Sequence, residues 1–128
     1  MQAVLEGVAF AIRDSVEVAK SLGIKIEKSR ICGGGAKSPL WRKIMANVLD
    51  IPLEIPKTEE GPGYGGAMLA MVGCGRFGSV AEAADALTEV SGTVEPDPET
   101  AEKYETKYRI FRQIYPAMKS LFEEMKED

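Results

Sequence analysis

Three consecutive glycines, Gly33, Gly34 and Gly35, stand between the apolar pair Ile31-Cys32 and the dipeptide Ser38-Pro39. Glycine loses more backbone freedom on folding than any other residue, so neither a helix nor a strand runs well through such a stretch. The chain therefore changes element here. Upstream, Ile24 to Cys32 alternates weakly and ends apolar, which reads as a strand. Downstream, Ser38 is a helix cap with proline at the first helical position, and Leu40, Trp41, Ile44, Met45, Val48 and Leu49 form one apolar face. Ile51 to Ile55, bracketed by Pro52 and Pro56, suits a brief strand near a sheet edge. Strand, glycine loop, helix and strand in that order imply a right-handed parallel unit.

The flanking segments are mostly helical in pattern. Met1 to Leu22 places Val4, Leu5, Val8, Ile12, Val16 and Ala19 on one stripe, with Gly23 as a C-cap. Gly61 to Gly65 reads as a turn, followed by a helix over Gly66 to Val72 whose small residues permit close neighbours. Ser79, three residues before Glu82, opens a short helix to Leu87. Residues 91–98 contain two prolines and read as irregular. The last segment repeats Tyr104, Tyr108, Phe111, Tyr115, Met118, Phe122 and Met125 at steps of four and three, with Pro116 expected to kink the helix. The stripe reads as core or, alternatively, as a dimer seam.

Bulk properties narrow the function. At 128 residues, 45% hydrophobic and 28% charged, the whole chain 1–128 fits one soluble domain. The net charge of −4 carries no basic surface for nucleic acid. No segment approaches the roughly 20 apolar residues of a membrane-spanning helix, so neither nucleic acid nor membrane is an expected partner, and a cytoplasmic location is expected. Histidine is absent and the two cysteines form no CxxC pair, which argues against zinc, a disulfide scaffold and imidazole catalysis. Cys32 and Cys74 read as small buried apolar residues. No metal ligands stand out.

The chemistry is concentrated at Gly33, Gly34, Gly35, Ala36, Lys37 and Ser38. Glycines between a strand and a helix let backbone approach a ligand closely, and the following helix aims its first amides into the same space. The run has neither GxGxxG spacing nor the spacer and second glycine of a phosphate loop. Alone it also reads as a simple connector, and Lys37 as a solvated charge.

Taken together, ICGGGAKSPLWRKIMANVLDIPLEIPKTEEGPGYGGAMLAMVG resembles the adenosine-binding segment and hinge helix of the FGGY carbohydrate kinases. LEGVAFAIRD at 5–14 is similar to the helix preceding that segment, and YRIFRQIYPAMK at 108–119 resembles the tail of the xylulokinase-like branch. The resemblance implies an α/β fold: a truncated ribonuclease H-like (actin/hexokinase-type ATPase) domain, with a small parallel sheet and a majority of helix. It implies ATP with Mg2+ as cofactors, and Gly33 to Ser38 as nucleotide-binding residues. Gly65, Gly66 and Ala67 would belong to an interdomain hinge, where the alternative is tight packing within one domain. Pro39 stands where some relatives place an adenine-bonding asparagine. Trp41 reads as core or as a stacking platform, and Glu6 as bordering the cleft or facing solvent.

No catalytic residue is expected in this chain. In the family the base, the sugar pocket and a glycine-threonine phosphate loop lie upstream, while Asp14, Asp50 and Asp85 read as solvated. The chain is thus expected to be the C-terminal portion of a longer two-domain pentulose kinase, inactive alone, with ATP or ADP and a sugar as partners. Surface left uncovered leads to an expected homodimer or higher assembly. Two other readings stay open: a stand-alone nucleotide-binding module and a non-catalytic helical interaction domain.

Overall fold

The computed structural model describes residues 2–57 and 61–125. Among them the elements run α1 (Gln2–Ser21), β1 (Ser29–Arg30), α2 (Pro39–Leu49), β2 (Leu53–Pro56), α3 (Pro62–Gly73), α4 (Val80–Leu87), β3 (Val90–Val94) and α5 (Pro98–Glu124). A 3-10 turn, Gly34–Lys37, joins β1 to α2. Helix predominates, as expected. No helix among the described residues is long and apolar enough to cross a membrane.

The central helix forms as its sequence dictates. The Ser38 hydroxyl accepts from the Trp41 amide at 3.3 Å, and Pro39 stands in the first turn. Ile44, Met45, Ala46, Val48 and Leu49 are buried. Leu40, expected on that face, is exposed, and Trp41 is half-buried against the core. Asp50 ends the helix in a left-handed conformation, φ 53°, and turns the chain into β2. Asp50 is exposed at this turn, as expected, and aspartate is among the few non-glycine residues that visit that region readily.

The three-stranded sheet has the order β1-β2-β3. β1 runs parallel to β2, pairing Ser29 with Leu53, whereas β3 runs antiparallel to β2, pairing Val94 with Leu53. The sheet is therefore mixed, which corrects the expectation of a parallel one. The missed strand is β3. Its valines alternate with Ser91 and Thr93, but Gly92 weakens the pattern, and the two prolines that read as irregular, Pro96 and Pro98, lie beyond the strand. A register shift at Ile55/Pro56 absorbs Pro56 at the strand end, and the Ser91 hydroxyl donates to the Ile55 carbonyl at 3.0 Å. β1 is shorter than the expected Ile24 to Cys32, because a four-residue partner offers few rungs; the Ile31 amide still donates to the Glu54 carbonyl at 3.1 Å.

The expected turn over Gly61 to Gly65 is instead helical. Gly61 caps α3, Pro62 presets its first turn, Met68 is buried, and the Tyr64 hydroxyl, donating to the Leu87 carbonyl at 2.7 Å, ties the helix to α4. Ser79 caps α4 as expected, accepting from the Glu82 amide at 3.1 Å. Gly23, φ +82°, ends α1 in a Schellman arrangement, with Ile24 N donating to Ala19 O and Gly23 N to Lys20 O. Both cysteines are exposed, contrary to the burial expected of them.

α1 and α5 meet along an aromatic and polar seam. Phe10 contacts Tyr104, Tyr108 and Phe111 at ring separations of 6.0, 5.9 and 5.3 Å. The inward face of α1 is thus centred on Ala9, Phe10 and Arg13, and Val4, Val8 and Ile12 of the expected stripe are exposed. Likewise only the first half of the α5 stripe is core: Tyr104 and Tyr108 are buried, whereas Tyr115, Met118, Phe122 and Met125 are exposed. α5 continues through Pro116 as one 27-residue helix. Arg13, buried beside the Tyr108 ring at 4.2 Å, pairs with Glu105 and holds that carboxyl below its usual range. Asp14, expected to be solvated, accepts from the Tyr108 hydroxyl at 2.5 Å.

Burial, together with the hydrogen bond and charge of Asp14, pushes Tyr108 up to about 12. A folded value raised above the ordinary one near 10 stabilises the native state fully below pH 10, and that stabilisation is lost as the pH rises through about 12. Urea midpoints measured from pH 9 to 11.5 should decline more steeply for the wild type than for Tyr108→Phe; parallel declines would dissociate Tyr108 from the alkaline limb. For the core, Leu53 is 2% exposed and Val4 70%. Leu53→Ala should cost about 3 kcal/mol of unfolding free energy and Val4→Ala less than about 0.5, and near-equal losses in denaturant titrations would contradict this core assignment.

Candidate functional site

The glycine loop leaves β1 through Ile31, which is buried, and reverses at Gly33, where φ is +82° and ψ 176°. Only glycine occupies that conformation without strain. The 3-10 turn then closes with Ala36 N donating to Gly33 O and Ser38 N to Gly35 O, each at 3.0 Å. Ser38 serves as the last residue of the loop and the cap of α2, so the loop continues directly into the first turn of a buried helix.

The six expected site residues divide into two kinds. Gly33, Gly34, Lys37 and Ser38 are exposed, and a Cβ at Gly33 or Gly34 would meet nothing within 4 Å. A flat ligand can therefore rest on their backbone. Ala36 is buried and joins the core, leaving its backbone as the part available. Gly35 has a different reason to be glycine. A Cβ there would stand 3.2 Å from Trp41 Cδ1 and Nε1, so the missing side chain makes room for the indole. Trp41 thereby supports the loop from within, closer to its core reading than to an open stacking platform.

One neighbour went unnoticed in the sequence. The half-buried Arg42 donates through Nε to the Ala36 carbonyl. A basic residue in the first turn of a helix reads as a surface charge, and only the fold-back of the loop reveals its partner.

The second expected group, Gly65, Gly66 and Ala67, is exposed on α3. Cβ atoms built at Gly65 and Gly66 meet nothing within 4 Å, so these glycines are not required by packing within the described residues. α3 packs chiefly on α4 rather than on α2 or the loop. Glu6 is neither solvated nor aimed at the loop: it accepts from Gln2, Tyr104 and Lys107. Burial opposes its charge, yet these three hydrogen bonds outweigh burial and hold the carboxyl below its ordinary range.

A groove of about 820 Å³ between α1 and α5, reached by Asp14, Tyr108, Tyr115 and Phe122, and another of about 460 Å³ beside Glu6 and Tyr104, both lie away from the glycine loop. At Gly33 and Gly34 the loop presents an open face. Among the described residues no group of three or more carboxylate or cysteine side chains is gathered to hold a metal ion.

The positive φ makes a sharp distinction between adjacent glycines. Gly33→Ala should lower stability by about 1–3 kcal/mol, whereas Gly34→Ala, with open space and an ordinary φ, should stay within about 0.5 kcal/mol. Urea denaturation of the two variants decides the matter; equal losses would mean that the reversal at Gly33 is not held in the folded state.

The chain is similar to known proteins. The C-terminal domain of the FGGY family of carbohydrate kinases matches residues 1–74. The xylulose kinase of Staphylococcus epidermidis is 32% identical over 120 residues, 94% of this chain and 24% of that protein. The xylulose kinase of Bacillus subtilis is 30% identical over 121 residues, again 94% of this chain and 24% of that protein. The crystal structure of xylulose kinase from Rhodospirillum rubrum superposes with a TM-score of 0.78 at 31% identity, over 94% of this chain and 25% of that one. The chain spans about a quarter of the length of the curated relatives it matches. With more than half its length matched by the family and its fold shared with a solved member, the chain belongs to the FGGY family of carbohydrate kinases, within the C-terminal domain.

Proposed function

We propose that this chain is one domain, the ATP-binding C-terminal portion of a longer, cytoplasmic carbohydrate kinase that transfers the γ-phosphate of ATP to a hydroxyl of a pentulose, D-xylulose. The observation that carries the proposal is the open backbone face at Gly33 and Gly34, entered at φ +82° and continued into the capped start of α2. Such a face suits the plane of an adenosine, because close approach matters more there than any side-chain contact. Gly33, Gly34, Gly35, Ala36, Lys37 and Ser38 form this surface in the proposal. Gly35 and Ala36 serve through their backbone, their other sides being taken by Trp41 and the core.

Phosphoryl transfer to an alcohol requires a base for the hydroxyl proton and a cation to neutralise the phosphates. The carboxylates nearest the seam are occupied structurally, Asp14 by Tyr108 and Glu6 by Tyr104 and Lys107. We therefore place the base, the sugar pocket and the residues that steady Mg2+ in the remainder of the longer protein, and assign this chain the task of holding the nucleotide. The exposed small-residue face at Gly65, Gly66 and Ala67 is where a helix of that remainder could approach closely and act as a hinge.

Phosphorylation of D-xylulose with ATP and Mg2+ tests this directly, comparing the 128-residue chain with the same chain inside its longer protein. Activity confined to the longer protein is expected. Activity with another polyol but not xylulose would remove the substrate, and turnover by the short chain would remove the division of labour.

A further inference from the structure

We propose that Arg42 is a positioning residue for the nucleotide-binding loop, acting together with Trp41; the inference rests on the assignment of nucleotide to that loop. Three internal anchors hold the turn Gly34–Lys37. The Ala36 methyl is seated in the core, the Trp41 indole lies 3.2 Å from where a Gly35 Cβ would stand, and the Arg42 guanidinium donates to the Ala36 carbonyl.

The anchors act on one side of the loop only. Ala36 and Gly35 are gripped from the α2 side, while Gly33 and Gly34 have open space where side chains would be. A 3-10 turn of four residues has few hydrogen bonds of its own, here Ala36 N to Gly33 O and Ser38 N to Gly35 O. Without outside support, a segment so rich in glycine would sample many conformations, and a ligand would have to select one of them. A charge-assisted bond from Arg42 to the middle of the turn removes that freedom beforehand. Because Arg42 belongs to the first turn of α2, whose far end is locked in the core, the anchor does not move with the loop.

Gly35 gains a second meaning here. Its lack of a side chain allows the loop to settle on the indole, so Gly35, Trp41 and Arg42 form one device.

The test compares wild type, Arg42→Ala and Arg42→Lys in the longer protein, by amide hydrogen exchange and by ADP titration followed by isothermal calorimetry. Arg42→Lys keeps the charge and apolar stem but has no Nε donor, and it guards against misfolding of the alanine variant. Exchange at Ala36 and Ser38 should quicken at least tenfold in both variants, with amides of α5 unchanged, and ADP should bind about tenfold more weakly. In turnover, KM for ATP should rise while KM for the sugar stays constant, a split that general destabilisation would not produce. Unchanged exchange at Ala36 and Ser38 would overturn the anchor, and quickened exchange with unaltered ADP affinity would overturn its role in binding. Quickened exchange in a protein whose wild type gives no ADP response would uphold the anchor and overturn the nucleotide assignment alone.

Discussion

Burial of α2 on several sides at once is the constraint from which the remaining geometry follows. Ala46 and Val48 are fully buried, and the helix contacts α1, α5, β2 and β3 as well as the 3-10 turn. A close-packed helix of this kind has little room to shift, because its side chains interdigitate with their neighbours at crystal-like density. The loop ahead of it is an extension of that rigidity rather than an independent mobile segment. The proposed ligand surface is backbone, but backbone whose course is decided several residues away, by Ile44, Val48 and Leu49.

The seam between α1 and α5 shows which of two forces holds it. Ion pairs such as Lys107 with Glu6 are partly exposed, and pairs of this type contribute roughly 0–1 kcal/mol each. The Phe10 cluster removes four aromatic rings, wholly or in large part, from water, and burial of an aromatic ring stabilises by about 1.5–3 kcal/mol before edge-to-face terms are added. Packing therefore carries the docking of α5. The polar contacts of Arg13, Asp14 and Glu6 mainly satisfy groups that the packing has drawn inward, and they select one register of the two helices over others.

What could be read from the sequence was what local chemistry decides. Ser38-Pro39 announced α2, Ser79 announced α4, Gly23 announced the end of α1, and the glycine run announced the loop. What escaped was decided at longer range. β3 carries a weak alternation through Gly92 and exists because β2 offers it an edge. α3 begins at Pro62 although its glycines favour a turn, since Tyr64 finds a partner at the end of α4 and Met68 is buried. The apolar repeat along α5 is uniform in sequence, yet it crosses from core to surface after Phe111, where an open groove separates it from α1. Within the site, the glycines were evident, but the reason for Gly35 and the partner of Arg42 required the loop to fold back on its own helix. Between a ligand surface and a plain connector, local patterns alone gave no preference, and the ligand surface proposed above rests on family resemblance.

The unequal anchoring of α5 has a consequence for how the chain meets proteases. Its first turns are pinned through Tyr104 and Tyr108, while Ile114, Tyr115, Leu121 and Phe122 lean on little besides each other, Tyr115 and Phe122 stacking at 6.3 Å. Opening free energy along one continuous helix then falls from the pinned end toward the free one. Chymotrypsin-like cleavage, which favours aromatic sites, would trim this helix back from Phe122 and Tyr115 and halt near Phe111, leaving the glycine loop and its supporting helix whole.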